Sequence, residues 1–147
     1  MEKFLQINTE DFLRFYDSCS KDIRESLKPL FGKQITEYLC FKIKSYEDAS
    51  KYLYNKILNI DTPDKKIASF FKLKTINEAL NDGWNKNSDN YYYPIFTIED
   101  SIFKFKSVKI GNYSNEFPFS NPFKFRDAEL AKYCGETFIE LWRDYYA

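Results

Sequence analysis

The sequence predicts an α+β fold: N-terminal helices, a small antiparallel sheet of about three strands, and a long C-terminal helix laid across it. Two changes of pattern carry this prediction. Apolar residues recur at helical spacing up to about residue 82, extended β-prone runs separated by turns occupy 91–126, and the helical period returns after Asp127. At 147 residues the chain fits one domain, 1–147, with 1–33 set apart as a candidate family-specific extension.

Thr9, followed by Glu10 and Asp11, offers a hydroxyl cap and first-turn acids. It opens a helix whose apolar stripe is Phe12, Phe15, Tyr16, Cys19, Ile23 and Leu27. Lys28-Pro29 and Gly32 end it. Leu39, Phe41 and Ile43 alternate with Cys40 and Lys42, the mark of a short strand or extended link. Ser45 and Asp48 resemble a capping box and open a second helix through Ala49, Leu53 and Ile57. Thr62-Pro63 opens a third, whose apolar residues (Ile67, Phe70, Phe71, Leu73, Ile76, Ala79, Leu80) surround it and make it central. Gly83 stands as its C′ residue, and 85–90 form a polar turn.

Tyr91 to Ile98 then follows as a strand, with Pro94 marking an edge or bulge. A turn at Glu99-Asp100 leads to Ile102–Ile110, where Phe103 and Phe105 oppose Lys104 and Lys106. Residues 111–122 form a loop and Phe123–Arg126 a brief third strand. Asp127 caps the final helix, which carries Leu130, Cys134, Phe138, Leu141, Trp142 and Tyr145; Gly135 within it points to close packing against another element.

Charged residues are 30% of the chain and hydrophobic ones 44%, ordinary for a folded protein. Aromatics reach 20%, with 15 Phe and 12 Tyr, which fit either a Phe-rich core or a dedicated stacking or contact surface. Lys+Arg and Asp+Glu are both 22, so no global field steers the chain to nucleic acid or membrane. No apolar run approaches the ~20 residues of a membrane span. The acidic, amphipathic N-terminus lacks signal-peptide character. Cys19, Cys40 and Cys134 have no CxxC spacing and are expected as buried thiols in a reducing compartment.

Residues 72–96 (KLKTINEALNDGWNKNSDNYYYPIF) and 121–147 (NPFKFRDAELAKYCGETFIELWRDYYA) carry a resemblance, with a looser match at 44–53 (KSYEDASKYL). They resemble the "ALNEGW…YYPWF", "ELAEYAGKQFIDLYK" and "TFEDAC" segments of a family of small uncharacterised proteins of Bacteroidetes phages and prophages. Ile95 stands where that family usually has Trp, and Cys134 where it often has Ala. The first forty residues have no counterpart. The resemblance implies a mobile-element origin and a bacterial cytoplasmic setting, and supplies no catalytic residues.

The chain has no His, which removes the commonest general base and most catalytic zinc sites. None of the 4 Gly forms a phosphate-binding loop, and no cofactor or metal is expected. The pairs Glu47/Asp48 and Glu99/Asp100 are adjacent, so their side chains diverge. The expectation is therefore a binding protein, with a metal-dependent nuclease as the enzyme alternative.

Two candidate surfaces emerge. Between Ser101 and Arg126, the cations Lys104, Lys106, Lys109, Lys124 and Arg126 face only Glu116, a pattern suited to a phosphate backbone. The same alternation also describes the solvated face of a half-buried sheet. Tyr91, Tyr92, Tyr93, Tyr113, Phe117 and Phe119 are the candidates for a protein partner, since consecutive strand residues cannot all point inward. Together these lead to the expectation of a phage accessory protein acting by stoichiometric binding. The specific form is an anti-CRISPR-like inhibitor engaging a host effector nuclease or its guide RNA. A single-stranded nucleic-acid-binding protein and a virion cargo or structural component are the alternatives.

Overall fold

Ser45 and Asp127 cap helices as the sequence predicts in the computed structural model, which describes residues 9–83, 90–112 and 121–147. The fold is α+β, with seven helices and one two-stranded antiparallel sheet among the described residues. The chain divides into two compact units, Met1–Tyr38 and Leu39–Ala147. No described helix is long and apolar enough to cross a membrane.

In the first unit, the expected single helix is two: α1 (Thr9–Ser18) and α2 (Lys21–Leu27). The break has a local cause. The Ser18 hydroxyl and Cys19 thiol both donate back to the Phe15 carbonyl, and Ser20 is extended and accepts from the Ile23 N–H. Such short polar side chains compete with the backbone and start a helix afresh. Phe12 and Tyr16 are buried, Tyr16 lies edge-on to Tyr38, and the Arg24 guanidinium sits 4.7 Å from the Tyr16 ring.

The extended link expected at 39–43 is helical instead: α3 runs Gly32–Lys42. Ile35, Tyr38, Leu39 and Ile43 are buried at helical spacing, whereas Phe41 is 56% exposed. A strand would have placed Phe41 beside Leu39 and Ile43, so burial of the 35/39/43 stripe decides the form.

The second unit continues with α4 (Tyr46–Tyr54), capped by Ser45, with Asp48 reaching back to the Lys44 N–H. It stops three residues short of the expected Ile57. Asn55 turns left-handed, and the buried Ser50 hydroxyl holds both Lys56 C=O and Leu58 N–H. Helix α5 (Lys65–Asn81) is central as expected: Leu73, Ile76, Ala79 and Leu80 are fully buried, and it packs on α4 and on the last helix. Asp64 caps its start, and Asp82 and Gly83 are both left-handed at its end.

Strands β1 (Asn90–Glu99) and β2 (Ile102–Asn112) form a hairpin closed by Asp100 and Ser101, both at positive φ, the signature of a two-residue turn whose twist matches the strands. A register shift at Ile95/Phe96 leaves Lys106 as an extra residue in β2. The expected third strand at 123–126 is reduced to one antiparallel bridge, Tyr92 to Phe125. The next pair of that ladder would be Phe123 with Pro94, but Pro94 has no N–H and Phe123 donates its own N–H to Asn121 Oδ1. On the far side, Lys74 donates to the Pro122 C=O, Asn77 and Asn81 donate to the Lys124 C=O, and Asn81 accepts from the Arg126 N–H. Helix α5 thus holds the groups of this segment that point away from β1.

The expected long terminal helix is also two, α6 (Ala128–Thr137) and α7 (Ile139–Tyr146), broken at Phe138. Phe138 is buried at the corner, and the Trp142 indole N–H donates to the Cys134 C=O. Helix α6 crosses both strands. A Cβ on Gly135 would lie 2.7 Å from Phe105 and 2.9 Å from Pro94, so the close approach expected there is to the sheet.

Candidate nucleic-acid interface

The hairpin register decides which candidate residues can act together. Directly opposed residues share a face, and faces alternate along each strand. Pro94, Phe96, Phe103 and Phe105 turn toward the helices, where Phe96 stacks on Phe103 and packs against Trp142 and Tyr146. The opposite face is set by the pairs Tyr91–Gly111, Tyr93–Lys109, Ile95–Ser107 and Thr97–Lys104, with Lys106 at the bulge. Lys104, Lys106 and Lys109 are exposed there.

Lys124 enters from outside the hairpin. Asn77 and Asn81 on α5 hold its carbonyl, at 2.9 and 2.7 Å, and its ammonium lies 4.9 Å from the centre of the Tyr91 ring. Tyr91 is only 5% exposed. Its ring fills the space over Gly111, where any side chain would collide with it. A glycine beneath a cross-strand aromatic is a packing device, so Tyr91 is a floor for the site and not a free stacking surface. Tyr93 is half-buried, with its ring 6.0 Å from that of Tyr91, and is the more exposed of the two.

The predicted site residues therefore sort into four groups. Tyr91, Tyr93, Lys104, Lys106, Lys109 and Lys124 share one face, which merges the proposed partner and nucleic-acid sets. Tyr92 alternates to the other face, and its backbone bridges to Phe125 at 2.9 and 2.8 Å. Arg126 does not join: its side chain is 11% exposed and lies 3.7 Å from Asp127. Its Nε and one terminal nitrogen are buried without a hydrogen bond among the described residues. Tyr113, Phe117 and Phe119 lie outside the described residues.

The face is electrostatically one-sided. Glu99 meets Lys104 at 3.8 Å, but both are well exposed, which leaves such a pair weak. Lys106 and Lys109 have no acidic partner among the described residues. The bulge adds a cation between Lys104 and Lys109, and strand rise spaces the row at ~7 Å for every second residue. Such a row suits regularly spaced phosphates.

Sequence reasoning missed the Lys74–Asn77–Asn81 stripe that positions Lys124. Its signal was available as Lys74, Asn77 and Asn81 recurring at helical spacing on one side of α5. Lys74 itself is held below the ordinary lysine range, chiefly by burial and also by Lys124, with Glu78 opposing. It borders a concavity of about 600 Å³ between α5 and residues 58–62. Of the three free cysteines, Cys134 is buried, and burial pushes its thiol up; Cys19 and Cys40 are half-buried. Among the described residues, no three Cys, Asp or Glu side chains gather where they could hold a metal ion. No family model, no curated protein and no solved structure matches this chain.

Proposed function

We propose that this chain is a phage or prophage accessory protein that works by stoichiometric binding of a nucleic-acid strand through the open face of its hairpin. The observation that carries this reading is the convergence of Tyr93 with Lys104, Lys106, Lys109 and Lys124 on one face. Lysines bind phosphates by releasing counterions, and a phenol ring stacks on a base without demanding a sequence. The setting is counter-defence: an inhibitor that takes hold of the guide RNA of a host effector nuclease. The family resemblance supports that setting, and the absence of His from the sequence favours occupancy over chemistry.

The test is capture of the tagged chain from infected host lysate, with and without nuclease treatment, paired with fluorescence anisotropy on labelled single-stranded RNA. Expected is a salt-sensitive complex that Lys106→Glu with Lys109→Glu weakens at least tenfold. Affinity unchanged by that double substitution removes the lysine row from the function. A second reading, direct binding of single strands in phage replication, rests on the same face. It predicts capture of nucleic acid without any effector protein.

A further inference from the structure

Arg126 is the predicted cation that stays out of the lysine row, and its surroundings are incomplete. The bridge between Tyr92 and Phe125 sets Tyr93 opposite Lys124 and Tyr91 opposite Arg126. Opposed residues share a face, so Arg126 leaves its segment on the same side as Lys124. Phe123 and Phe125 alternate to the other side and are buried. Tyr91 pairs with Gly111 near the end of the hairpin remote from its turn, which puts Arg126 where the lysine row ends.

A guanidinium is always charged and presents its donors in a rigid fork. In Arg126 the two nitrogens of one edge of that fork, Nε and Nη2, are buried without a hydrogen bond among the described residues. Asp127 balances part of the charge from 3.7 Å, beyond hydrogen-bond reach, and its Oδ1 is taken by the Leu130 N–H at 2.8 Å. The great majority of buried donors in folded proteins are bonded, so a charged pair left without acceptors calls for acceptors from elsewhere. The backbone beneath is fixed, because the Arg126 N–H donates to Asn81 Oδ1. The long side chain is not: turning it outward breaks no hydrogen bond of the fork.

We infer that Arg126 is the seat of a terminal phosphate monoester of the bound strand, gripped side-on by Nε and Nη2 once the side chain turns outward. This rests on the reading of the open face as a strand-binding surface. A phosphate offers two oxygens at the spacing of the fork. A monoester end carries more charge and more free oxygens than a linking phosphate. The charge of Asp127 opposes any anion there, and Lys124, on the same side, offsets it. A position at the end of the cation row suits the end of a strand.

Fluorescence anisotropy on the full chain is to compare one single-stranded RNA sequence carrying a 5′-phosphate, a 3′-phosphate or hydroxyls at both ends. The wild type should hold at least one phosphorylated form about tenfold more tightly than the hydroxyl form, as a charge-assisted bond pair implies. The form preferred identifies the end. Arg126→Met and Arg126→Lys should erase the preference, since Lys keeps the charge without the fork. The urea midpoint of Arg126→Met should not fall, because no hydrogen bond of the fork is lost. Equal binding of all forms by the wild type would overturn the inference and leave the lysine-row reading standing, whereas failure of every form to bind would overturn both. A preference that survives both substitutions, a loss shared equally by all forms, or a fallen midpoint would also overturn it.

Discussion

The two faces of the β1–β2 hairpin are built from neighbouring residues on the same strands, yet they meet opposite surroundings. On the helix side, Phe96, Phe103 and Phe105 interlock with Trp142, Tyr146 and the bare backbone of Gly135. On the open side, Tyr93 and Thr97 stand among lysines, with Tyr91 sunk over Gly111 as a base. Stability is concentrated on the first face, and the chemistry of the proposed strand binding on the second. Substitutions should therefore separate the two properties cleanly.

The largest expected effect is on the packed face. Trp142 is 1% exposed amid four aromatic rings, and Trp142→Ala should cost about 3–5 kcal/mol in urea unfolding, by lost burial plus the cavity left. Gly135→Ala should follow, at about 1–3 kcal/mol, because the new methyl has to displace Phe105 and Pro94. An unfolding midpoint unchanged in Gly135→Ala would show that α6 does not press on the sheet. On the open face, Lys106→Glu with Lys109→Glu should move stability by no more than about 0.5 kcal/mol each while abolishing most strand binding. A large loss of stability there would break the contrast.

The last effect concerns protons and shows only at alkaline pH. Tyr133 donates its phenol to the Ile43 C=O at 2.6 Å, and burial is the main cause that pushes its pKa up to about 12. The folded state thus holds a proton that the unfolded chain releases near 10. The contribution is complete below pH 10 and is lost as pH rises toward about 12. Tyr133→Phe should flatten part of that alkaline decline in a series of urea curves. Cys134 and Tyr146, also raised by burial, retain the remainder.

Much of the secondary structure was legible because local chemistry announces it. Ser45 and Asp127 cap their helices, and the lysine–phenylalanine alternation of β2 gave the correct faces at 103–105, whereas the third helix, expected to open at Thr62-Pro63, starts after Asp64. What failed was decided at a distance. Leu39, Phe41 and Ile43 alternate as a strand would, but burial of Ile35 and Leu39 made the segment helical. Residues 123–126 are β-prone, yet Pro94 offers Phe123 no N–H and Asn121 takes the Phe123 N–H, so the pairing stops at one bridge. Arg126 stood in line with the lysines in sequence, and its place beside Asp127 withdrew it. Within the site, the cations were legible as a charge excess. The burial of Tyr91 depended on Gly111, twenty residues away and visible only through the register.

The α5 stripe has a consequence for how the protein is made. Its bonds to 122–126 join residues 43 to 48 positions apart in sequence. During synthesis, α5 can form early, but Asn77, 4% exposed in the finished fold, has no carbonyl to bind until Lys124 has left the ribosome. Closing so long a loop is slow relative to helix growth. Lys124 therefore reaches the open face only when the larger unit closes, so assembly of the proposed binding face and completion of that core are a single late event. A nascent or truncated chain ending before residue 122 would carry the hairpin lysines without the residue that completes their row.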